Sequence, residues 1–273
     1  PQGAQKAGGT LSAGSESFGR AVGCGWVVWC APPPHPTSAA STHPSIMDDF
    51  LAQYFARIGL DWKVDSCLSP TLATLAAVQL AHLRSIPFEN LDVVLRQRVD
   101  ISEAAVFDKL VRRQRGGYCF EQNTLLEGAL RRLGFTVAPV LARVRWNRPK
   151  DFDTPFTHLV LLVTLPAAAD TDGGADGGAN GAAPKSYLVD VGFGGLQCLS
   201  PLHVDTEEPQ AVPEGGSWRL TATDGGACLT KQWLLRGAWQ DLYKFASPRG
   251  AGGPGAVAAP ACDQQVANFW SFA

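Results

Sequence analysis

Residues 115–123 organise the chain around one cysteine, and they read Arg115-Gly116-Gly117-Tyr118-Cys119-Phe120-Glu121-Gln122-Asn123. Cys119 follows two glycines and opens a run of apolar residues at helical spacing that reaches Leu133 and ends at Gly134. The pattern predicts a helix that begins at the cysteine. The positive end of a helix dipole favours a thiolate, the reactive form of cysteine, and the glycines allow a sharp turn close to a substrate. Cys119 is therefore either a nucleophile or a small buried apolar residue.

Three further helices are expected on the N-terminal side of this stretch, because apolar residues there recur at helical spacing. Their ends are marked by capping residues, a turn glycine and prolines: Asp49 and Gly59 for the first, Ser69-Pro70 and Pro87 for the second, and the pair Asp100 and Glu103 for the third. We therefore expect residues 47–135 to form a helical bundle that carries the candidate nucleophile.

The spacing of apolar residues then changes to that of β-strands. The predicted strands fall at residues 140–146, 159–165, 187–191, 218–223 and 228–235. We expect residues 136–232 to form a β-barrel. A tract of Gly, Ala and Asp at 167–184 is expected to be a flexible surface loop, because it offers nothing to bury.

The composition is that of a globular protein of ordinary charge. The chain has 273 residues, of which 45% are apolar, and a formal net charge of −2. It lacks the basic surface that nucleic acid would require, so no nucleic-acid partner is expected. Its seven cysteines show no CxxC spacing, so we expect neither a disulfide framework nor a metal site.

The N-terminal residues 1–46 are rich in Gly, Ala, Ser and Pro and show no sustained period, so we expect a disordered or non-native extension. Met47 is the one methionine of the chain, which suggests that translation starts there. The apolar stretch at 21–31 is too short to span a bilayer and lacks the features of a secretory signal. We therefore expect a cytoplasmic protein with no membrane partner.

A nucleophilic cysteine needs a base, and the base needs a group that fixes its tautomer. His158 opens an apolar strand, where it could face a cleft, and Asp190 lies within another apolar run, where a carboxylate needs a partner. The remaining histidines are placed in the N-terminal extension, on an apolar helix or in a loop: His35, His43, His82 and His203. Taken alone, His158 and Asp190 could each equally be structural residues.

Together, four motifs in this order resemble the arylamine N-acetyltransferase family. They are Ser85-Ile-Pro-Phe-Glu-Asn-Leu-Asp92, Arg115-Gly-Gly-Tyr-Cys-Phe-Glu-Gln-Asn123, Phe156-Thr-His-Leu159 and Val189-Asp-Val-Gly-Phe-Gly194. The resemblance implies an α+β fold with an N-terminal helical bundle, a central antiparallel β-barrel and a C-terminal α/β lid around a transglutaminase- or papain-like catalytic core. It also implies a ping-pong reaction in which an acetyl group passes from acetyl-CoA through a cysteine thioester to an arylamine, arylhydroxylamine or hydrazine.

The resemblance also assigns roles to individual residues. Cys119 is the acetyl carrier, His158 the base and Asp190 its hydrogen-bond acceptor. Four residues are expected to line or border the acceptor pocket: Phe88, Phe193, Leu196 and Gln197. For the two phenylalanines, simple core packing is an equally good interpretation. Arg115 and Glu89 are expected to form a buried structural pair that supports the turn at Gly116 and Gly117. No metal is implied.

Residues 233–273 are expected to be a partial, truncated α/β lid, because residues 267–273 resemble the start of a CoA-contacting segment and family members continue beyond it. Two alternatives to acetyl transfer stay open. The same triad serves thiol hydrolases such as amidases and peptidases, and a truncated homologue could be inactive.

Overall fold

The protein is seen here in a computed structural model that describes residues 49–61, 69–149, 152, 154–166, 183–213 and 215–249. The helices are α1 Asp49–Ile58, α2 Leu72–Ser85, α3 Leu91–Val94, α4 Glu103–Phe107 with a π-helical turn Asp108–Arg112, and α5 Cys119–Arg132. The expectations for residues 1–46, most of the 167–184 loop, and residues 250–273 lie outside the described residues.

Two predicted helix starts are each wrong by two residues. Thr71, not Ser69, caps α2, because its hydroxyl accepts a hydrogen bond from the Thr74 amide at 3.2 Å. Ser102, not Asp100, caps α4, and the Asp100 carboxylate instead accepts a hydrogen bond from the Ser102 amide. In both cases, the true cap is the hydroxyl residue directly before the first helical turn, which is where the free backbone amides lie.

The second half of the described chain forms one antiparallel sheet of eight strands. Their bounds are β1 Thr136–Val144, β2 Phe156–Leu165, β3 Lys185–Val189, β4 Leu202–His203, β5 Gln210–Val212, β6 Gly216–Thr223, β7 Cys228–Leu235 and β8 Ala238–Ala246. The order across the sheet is β4-β3-β2-β1-β8-β7-β6-β5. Strand β7 crosses the boundary expected between residues 232 and 233, and β8 then pairs with both β7 and β1. The sheet therefore continues to Ala246.

A side-chain bridge joins the two edges of this sheet and nearly closes it into a barrel. Gln210 on β5 donates from Nε2 to the carbonyl of His203 on β4 at 3.0 Å and accepts from the His203 amide at 2.8 Å. The amide side chain thus satisfies backbone groups that an edge strand would otherwise expose. His203 was expected in a loop; it lies instead in the short edge strand β4.

Strand β2 explains how the helices and the sheet share one core. Its side chains alternate: Leu161 and Val163 join the apolar cluster of the helical half, whereas Val160 and Leu162 join the interior of the barrel. Burial on both faces is why this segment reads as a continuous apolar run. Helix α5 packs against β2 and is buried from Cys119 to Leu130, so the predicted nucleophile lies at the junction of the two halves.

The described residues contain no helix that is both long and apolar enough to cross a membrane. Within the same residues, no group of three or more His, Cys, Asp or Glu side chains is placed to hold a metal ion.

Candidate active site

Cys119 is the first residue of α5, as predicted, and its turn is held by an earlier segment of the chain. The Glu89 amide donates to the Gly117 carbonyl at 3.0 Å, and the Gly117 amide donates to the Pro87 carbonyl at 3.4 Å. Residues 87–89 and 117 thereby form a short parallel bridge. Two of the four sequence motifs are therefore in direct contact, with Cys119 two residues beyond.

Gly116 and Gly117 are needed for close packing. A Cβ atom at Gly116 would lie 2.2 Å from the Pro87 carbonyl oxygen, and one at Gly117 would lie 2.9 Å from Cβ of Glu121. Neither glycine has a positive φ. Contacts within the protein therefore require glycine at both positions. A close approach of the substrate to this backbone stays a prediction.

His158 and Asp190 form a buried pair. His158 is the third residue of β2, and Asp190 directly follows the end of β3, one residue outside the strand in which it was expected. The Nε2 atom of His158 lies 2.9 Å from Oδ2 of Asp190. Since Nε2 is engaged with the carboxylate, Nδ1 is the ring atom left to interact with Cys119. The thiol of Cys119 donates to the neighbouring Thr157 carbonyl at 3.6 Å. The three residues predicted as a triad are therefore brought together.

Every acceptor position of the Asp190 carboxylate is used. Oδ2 accepts from His158 and from the Tyr243 hydroxyl, each at 2.9 Å. Oδ1 accepts from the Gly192 amide at 2.9 Å and from Nδ2 of Asn123 at 3.2 Å. A carboxylate with this number of donors is held in one orientation and stays ionised, so it can fix the ring of His158.

Burial and charge act in opposite directions on this pair. Burial lowers the pKa of His158, but the charge and hydrogen bond of Asp190, with a hydrogen bond to Cys119, outweigh it and raise that pKa to about 9. Burial raises the pKa of Asp190, but the charge of His158, its hydrogen bond and the charge of Lys231 hold it well below its usual range. The favoured state at neutral pH is therefore an imidazolium beside a carboxylate.

Asn123 and Gly192 connect the segment that carries Asp190 with the start of α5, where Cys119 lies. Asn123, one turn after Cys119 on α5, also donates to the Leu159 carbonyl at 2.8 Å and accepts from the Val191 amide at 3.2 Å. A Cβ atom at Gly192 would lie 2.5 Å from Cα of Cys119. These contacts set the position of the loop after β3 against the start of α5.

The four residues expected at an acceptor pocket do not have equivalent surroundings. Phe193 packs edge-on against the ring of His158, with ring centres 5.2 Å apart. Phe88 is 44% exposed and faces the backbone at Gly194. Leu196 packs against the barrel interior, and Gln197 donates to the Val191 carbonyl at 3.5 Å. Phe193 is thus the one of the four with a contact to the triad among the described contacts.

The support around the turn is larger than the predicted Arg115–Glu89 pair. Arg115 does bind Glu89 at 2.7 Å, but its side chain is 35% exposed, so the description of this pair as buried is wrong. The buried cation is Lys109, whose Nζ lies 2.6 Å from Glu121 and 2.7 Å from Asp92. Arg115 also contacts Asp92 at 2.9 Å. Because the network is buried only on the Lys109 side, we expect Lys109 to matter more than Arg115 for stability.

Sequence reasoning missed Asn123, Tyr243 and Lys231 around Asp190. Asn123 belongs to the 115–123 motif and lies four residues after Cys119, on the same face of the predicted helix. That spacing could have identified it as a residue near the cysteine. Tyr243 and Lys231 come from β8 and β7, far along the chain, and no local pattern distinguishes them from other strand residues.

These observations define a class of protein. An α+β fold in which a cysteine at a helix start meets a buried His–Asp pair is the arrangement of proteins with a Cys/His/Asp triad. That geometry is shared by thiol-dependent transferases and hydrolases, so the family has to come from comparison with known proteins.

The sequence model described as N-acetyltransferase matches residues 71–249. The arylamine N-acetyltransferase of Mycolicibacterium smegmatis is 44% identical over 197 residues, which cover 71% of this chain and 64% of that protein. The solved arylamine N-acetyltransferase from Salmonella typhimurium has a TM-score of 0.65 at 34% identity, covering 83% of this chain and 70% of that chain. The chain belongs to the arylamine N-acetyltransferase family, and the resemblance inferred from the four motifs is confirmed.

Another solved relative is a complex with a ligand. The Mycobacterium marinum arylamine N-acetyltransferase in complex with CoA has a TM-score of 0.63 at 36% identity and covers 81% of this chain and 70% of that chain. This chain spans slightly less than two thirds of the length of the M. smegmatis, M. bovis and M. tuberculosis relatives, at 62 to 64%.

Proposed function

We propose that this chain transfers an acetyl group from acetyl-CoA to the nitrogen of an arylamine, arylhydroxylamine or hydrazine. The observation that carries the proposal is that Cys119 lies in the same buried site as the hydrogen-bonded pair His158 and Asp190, and interacts with His158 there. Membership of the arylamine N-acetyltransferase family and the CoA complex of the M. marinum relative support the choice of substrates.

The proposed reaction has two halves. In the first, the Cys119 thiolate attacks the acetyl carbonyl, the bond to the CoA sulfur breaks, and CoA leaves with the proton of the His158 imidazolium. In the second, the amine nitrogen attacks the Cys119 thioester, and His158 takes the proton that the nitrogen loses. The acetylated amine departs and the thiolate–imidazolium pair is restored, so the sum is acetyl-CoA plus amine giving N-acetyl amine plus CoA.

Three features of the site support this sequence of steps. The carboxylate of Asp190 is held by four donors, so it can keep Nδ1 of His158 directed to the cysteine during both halves. The raised pKa of His158 favours the charged partner that a thiolate needs. The backbone amide of Cys119, at the first turn of α5, is a candidate donor to the oxyanion that forms on the acetyl group.

We place the acceptor beside Phe193, which already packs on His158, and assign Phe88 to the rim of the same pocket, where its exposed ring could cover a flat aromatic amine. We further propose that the junction of α5 with β2 and the segment after β3 is a transglutaminase-like catalytic core.

The test is acetylation of the full chain without acceptor. Incubation with acetyl-CoA should add one acetyl mass to the peptide that contains Cys119, and a panel of arylamines should remove it with formation of the N-acetyl product. Cys119→Ser should abolish the label, because a serine in this position has no comparable ion pair with histidine. Cys228→Ser is the matched control, since Cys228 is half-buried and lies outside the triad.

Two outcomes would overturn the proposal. One is the absence of label on Cys119 in a sample shown by circular dichroism to be folded, which would indicate an inactive homologue. The other is loss of the acetyl group to water faster than to any amine of the panel, which would indicate a thiol hydrolase.

A further inference from the structure

A buried lysine lies directly behind the triad. Lys231 is on β7 and pairs in register with Leu220 on β6 and with Tyr243 on β8. Its side chain is 1% exposed, and its Nζ atom is 4.0 Å from Oδ2 of Asp190. A fully buried lysine is rare because removing an ammonium from water is costly, so it requires a compensating environment.

That environment is specific for a cation. Nζ of Lys231 lies 4.9 Å from the centre of the Trp218 ring and 5.1 Å from the centre of the Tyr243 ring. Aromatic faces attract an ammonium through their quadrupole, most strongly where water is excluded. With Asp190 as the third partner, the amine is enclosed by two aromatic faces and a carboxylate.

The charges of the site show what the cation does. A Cys119 thiolate and the Asp190 carboxylate carry two negative charges, and the His158 imidazolium carries one positive charge. The described titratable groups that face Lys231 are Asp190, Tyr243 and Cys198. Burial raises the pKa values of Tyr243 and Cys198, so these two remain neutral. Without Lys231, the buried site would hold an uncompensated negative charge, which a low-dielectric interior disfavours.

We propose that Lys231 is a positioning residue of the proposed acetyl-transfer site: a buried ammonium that balances the charge of Asp190 and makes the thiolate–imidazolium–carboxylate site neutral as a whole. It acts through Asp190 and not on the substrate. Asp190 Oδ2 already accepts from His158 and Tyr243, and the lysine stands 4.0 Å from the same oxygen. This inference rests on the proposed function only in taking Cys119 as the nucleophile.

The consequence can be tested because loss of a positive charge raises the pKa of every titratable group nearby. In Lys231→Met, the imidazole of His158 should hold its proton to higher pH than in the parent chain. In a pH series, the alkylation of Cys119 by iodoacetamide should also become fast only at a higher pH in Lys231→Met than in the parent chain. We expect two midpoints to move upward by about one pH unit: that of the His158 titration and that of the pH dependence of Cys119 alkylation. This is the size expected for the loss of one charge in a partly screened interior.

The measurements are the histidine titration, followed by NMR on a chain with carbon-13-labelled histidine, and the pH dependence of alkylation at Cys119. Lys244→Met is the matched control, because it removes the same charge from the neighbouring strand, where Lys244 contacts Asp224 at 3.2 Å and is partly exposed. That control should leave both midpoints unchanged. Lys231→Gln serves as a second neutral variant if the methionine variant proves unstable by its melting temperature.

The two proposals fail in different ways. If the parent chain shows no alkylation of Cys119 at mildly acidic pH beyond that of free cysteine, the nucleophile assignment fails. If the parent chain behaves as proposed but folded Lys231→Met and Lys231→Gln shift neither midpoint more than Lys244→Met does, then Lys231 is only a packing residue and the present inference is wrong.

Discussion

His82 and His158 are both buried and hydrogen-bonded, yet they are held in opposite charge states. His82 on α2 contacts the Tyr54 hydroxyl at 2.9 Å through Nδ1 and Oε1 of Gln122 at 2.8 Å through Nε2. His158 contacts Asp190 and Cys119. Burial lowers the pKa of His82 to about 4, whereas that of His158 is raised to about 9.

The difference lies in the charge of the partners. Burial lowers the pKa of both residues, and for His82 the hydrogen bond to neutral Gln122 only partly opposes it, while the charge of Arg57 lowers it further. For His158, the carboxylate of Asp190 outweighs burial. A buried histidine with neutral partners is therefore a neutral structural link. One with a carboxylate partner is instead protonated and can act as a proton donor.

Both histidines nevertheless serve the same cysteine. Gln122, the partner of His82, donates from Nε2 to the Pro87 carbonyl at 2.9 Å and to the Gly117 carbonyl at 3.2 Å. His82 therefore supports the backbone turn that leads into Cys119, while His158 contacts its side chain. His82 thus helps to position the backbone before Cys119, and His158 places a positive charge beside its sulfur.

The substitution Asp190→Asn should have the largest effect, because it leaves both buried histidines with uncharged partners. It removes the charge that raises the pKa of His158, so burial should dominate and that pKa should fall below its ordinary value, toward the behaviour of His82. The imidazolium would be lost at neutral pH and the ring tautomer would no longer be fixed. We expect acetyl transfer to fall by a factor on the order of 10⁴, measured as kcat with a fixed arylamine, together with the histidine titration by NMR.

Asp205→Asn is the matched control for this change. Asp205 lies 3.5 Å from Nε2 of His203 in a half-exposed pair, so the same substitution is made beside a histidine in contact with water. It should leave acetyl transfer near the parent value. Equal losses in the two variants would show that carboxylate-to-amide substitution harms this fold generally, and the triad assignment would lose its support.

The site around His158 was easier to predict from the sequence than the neutral site around His82, because its residues have to perform chemistry. Catalytic chemistry restricts residue types within short stretches, so candidates could be selected by type and position: Cys119 at a helix start, His158 at a strand start and Asp190 within an apolar run. The switch from helical to strand spacing likewise predicted the two halves of the fold. The helix caps at Thr71 and Ser102 were missed because neighbouring Ser and Asp residues fit the same local rules.

Contacts between distant segments could not be obtained in this way. Tyr243 and Lys231 meet Asp190 only because β8 lies between β1 and β7 in the sheet, and strand order is not written in the spacing of apolar residues. The extension of the sheet through β8 was missed for the same reason. Similarly, the link from His82 to the turn at Gly117 depends on the packing of α2 beside α5.

The substitution Gly192→Ala would move the loop that carries Asp190 without changing any charge, so it separates the effect of geometry from that of charge. The new Cβ atom would lie 2.5 Å from Cα of Cys119 and 2.8 Å from Nδ2 of Asn123, so the loop that holds Asp190 must shift away from α5. We expect overpacking to lower the free energy of unfolding by about 1–3 kcal/mol. We also expect kcat to fall roughly 10²-fold, because a displacement of about 1 Å disturbs the reacting groups. Chemical denaturation and steady-state kinetics measure the two effects.

Gly195→Ala provides the comparison three residues later in the same loop. A Cβ atom there has no neighbour within 4 Å among the described residues, and the φ angle of Gly195 is not in the left-handed region. Stability and kcat should both stay close to the parent values. A similar loss of activity in both variants would mean that loop mobility matters here, and not contact with Cys119.

The substitution His82→Gln should have the smallest effect at neutral pH and a clear one in acid. The folded-state pKa of His82, about 4, lies below its unfolded value of 6.5, so between these pH values the unfolded chain binds a proton that the folded chain does not. The contribution of neutral His82 to stability is therefore complete above pH 6.5 and is lost as the pH falls toward 4. Glutamine can accept from Tyr54 and donate to Gln122 without titrating.

Relative to its own value at pH 7, the free energy of unfolding at pH 4 should therefore fall less in His82→Gln than in the parent chain, by roughly 3 kcal/mol. Urea denaturation at both pH values measures this difference, and acetyl transfer at pH 7 should change little, because the turn before Cys119 keeps its support. His158 has the opposite dependence: its raised pKa adds stability below pH 6.5 that is lost as the pH rises through about 9. If the acid sensitivity of the variant equals that of the parent chain, His82 is already protonated in the fold and the contrast between the two histidines is lost.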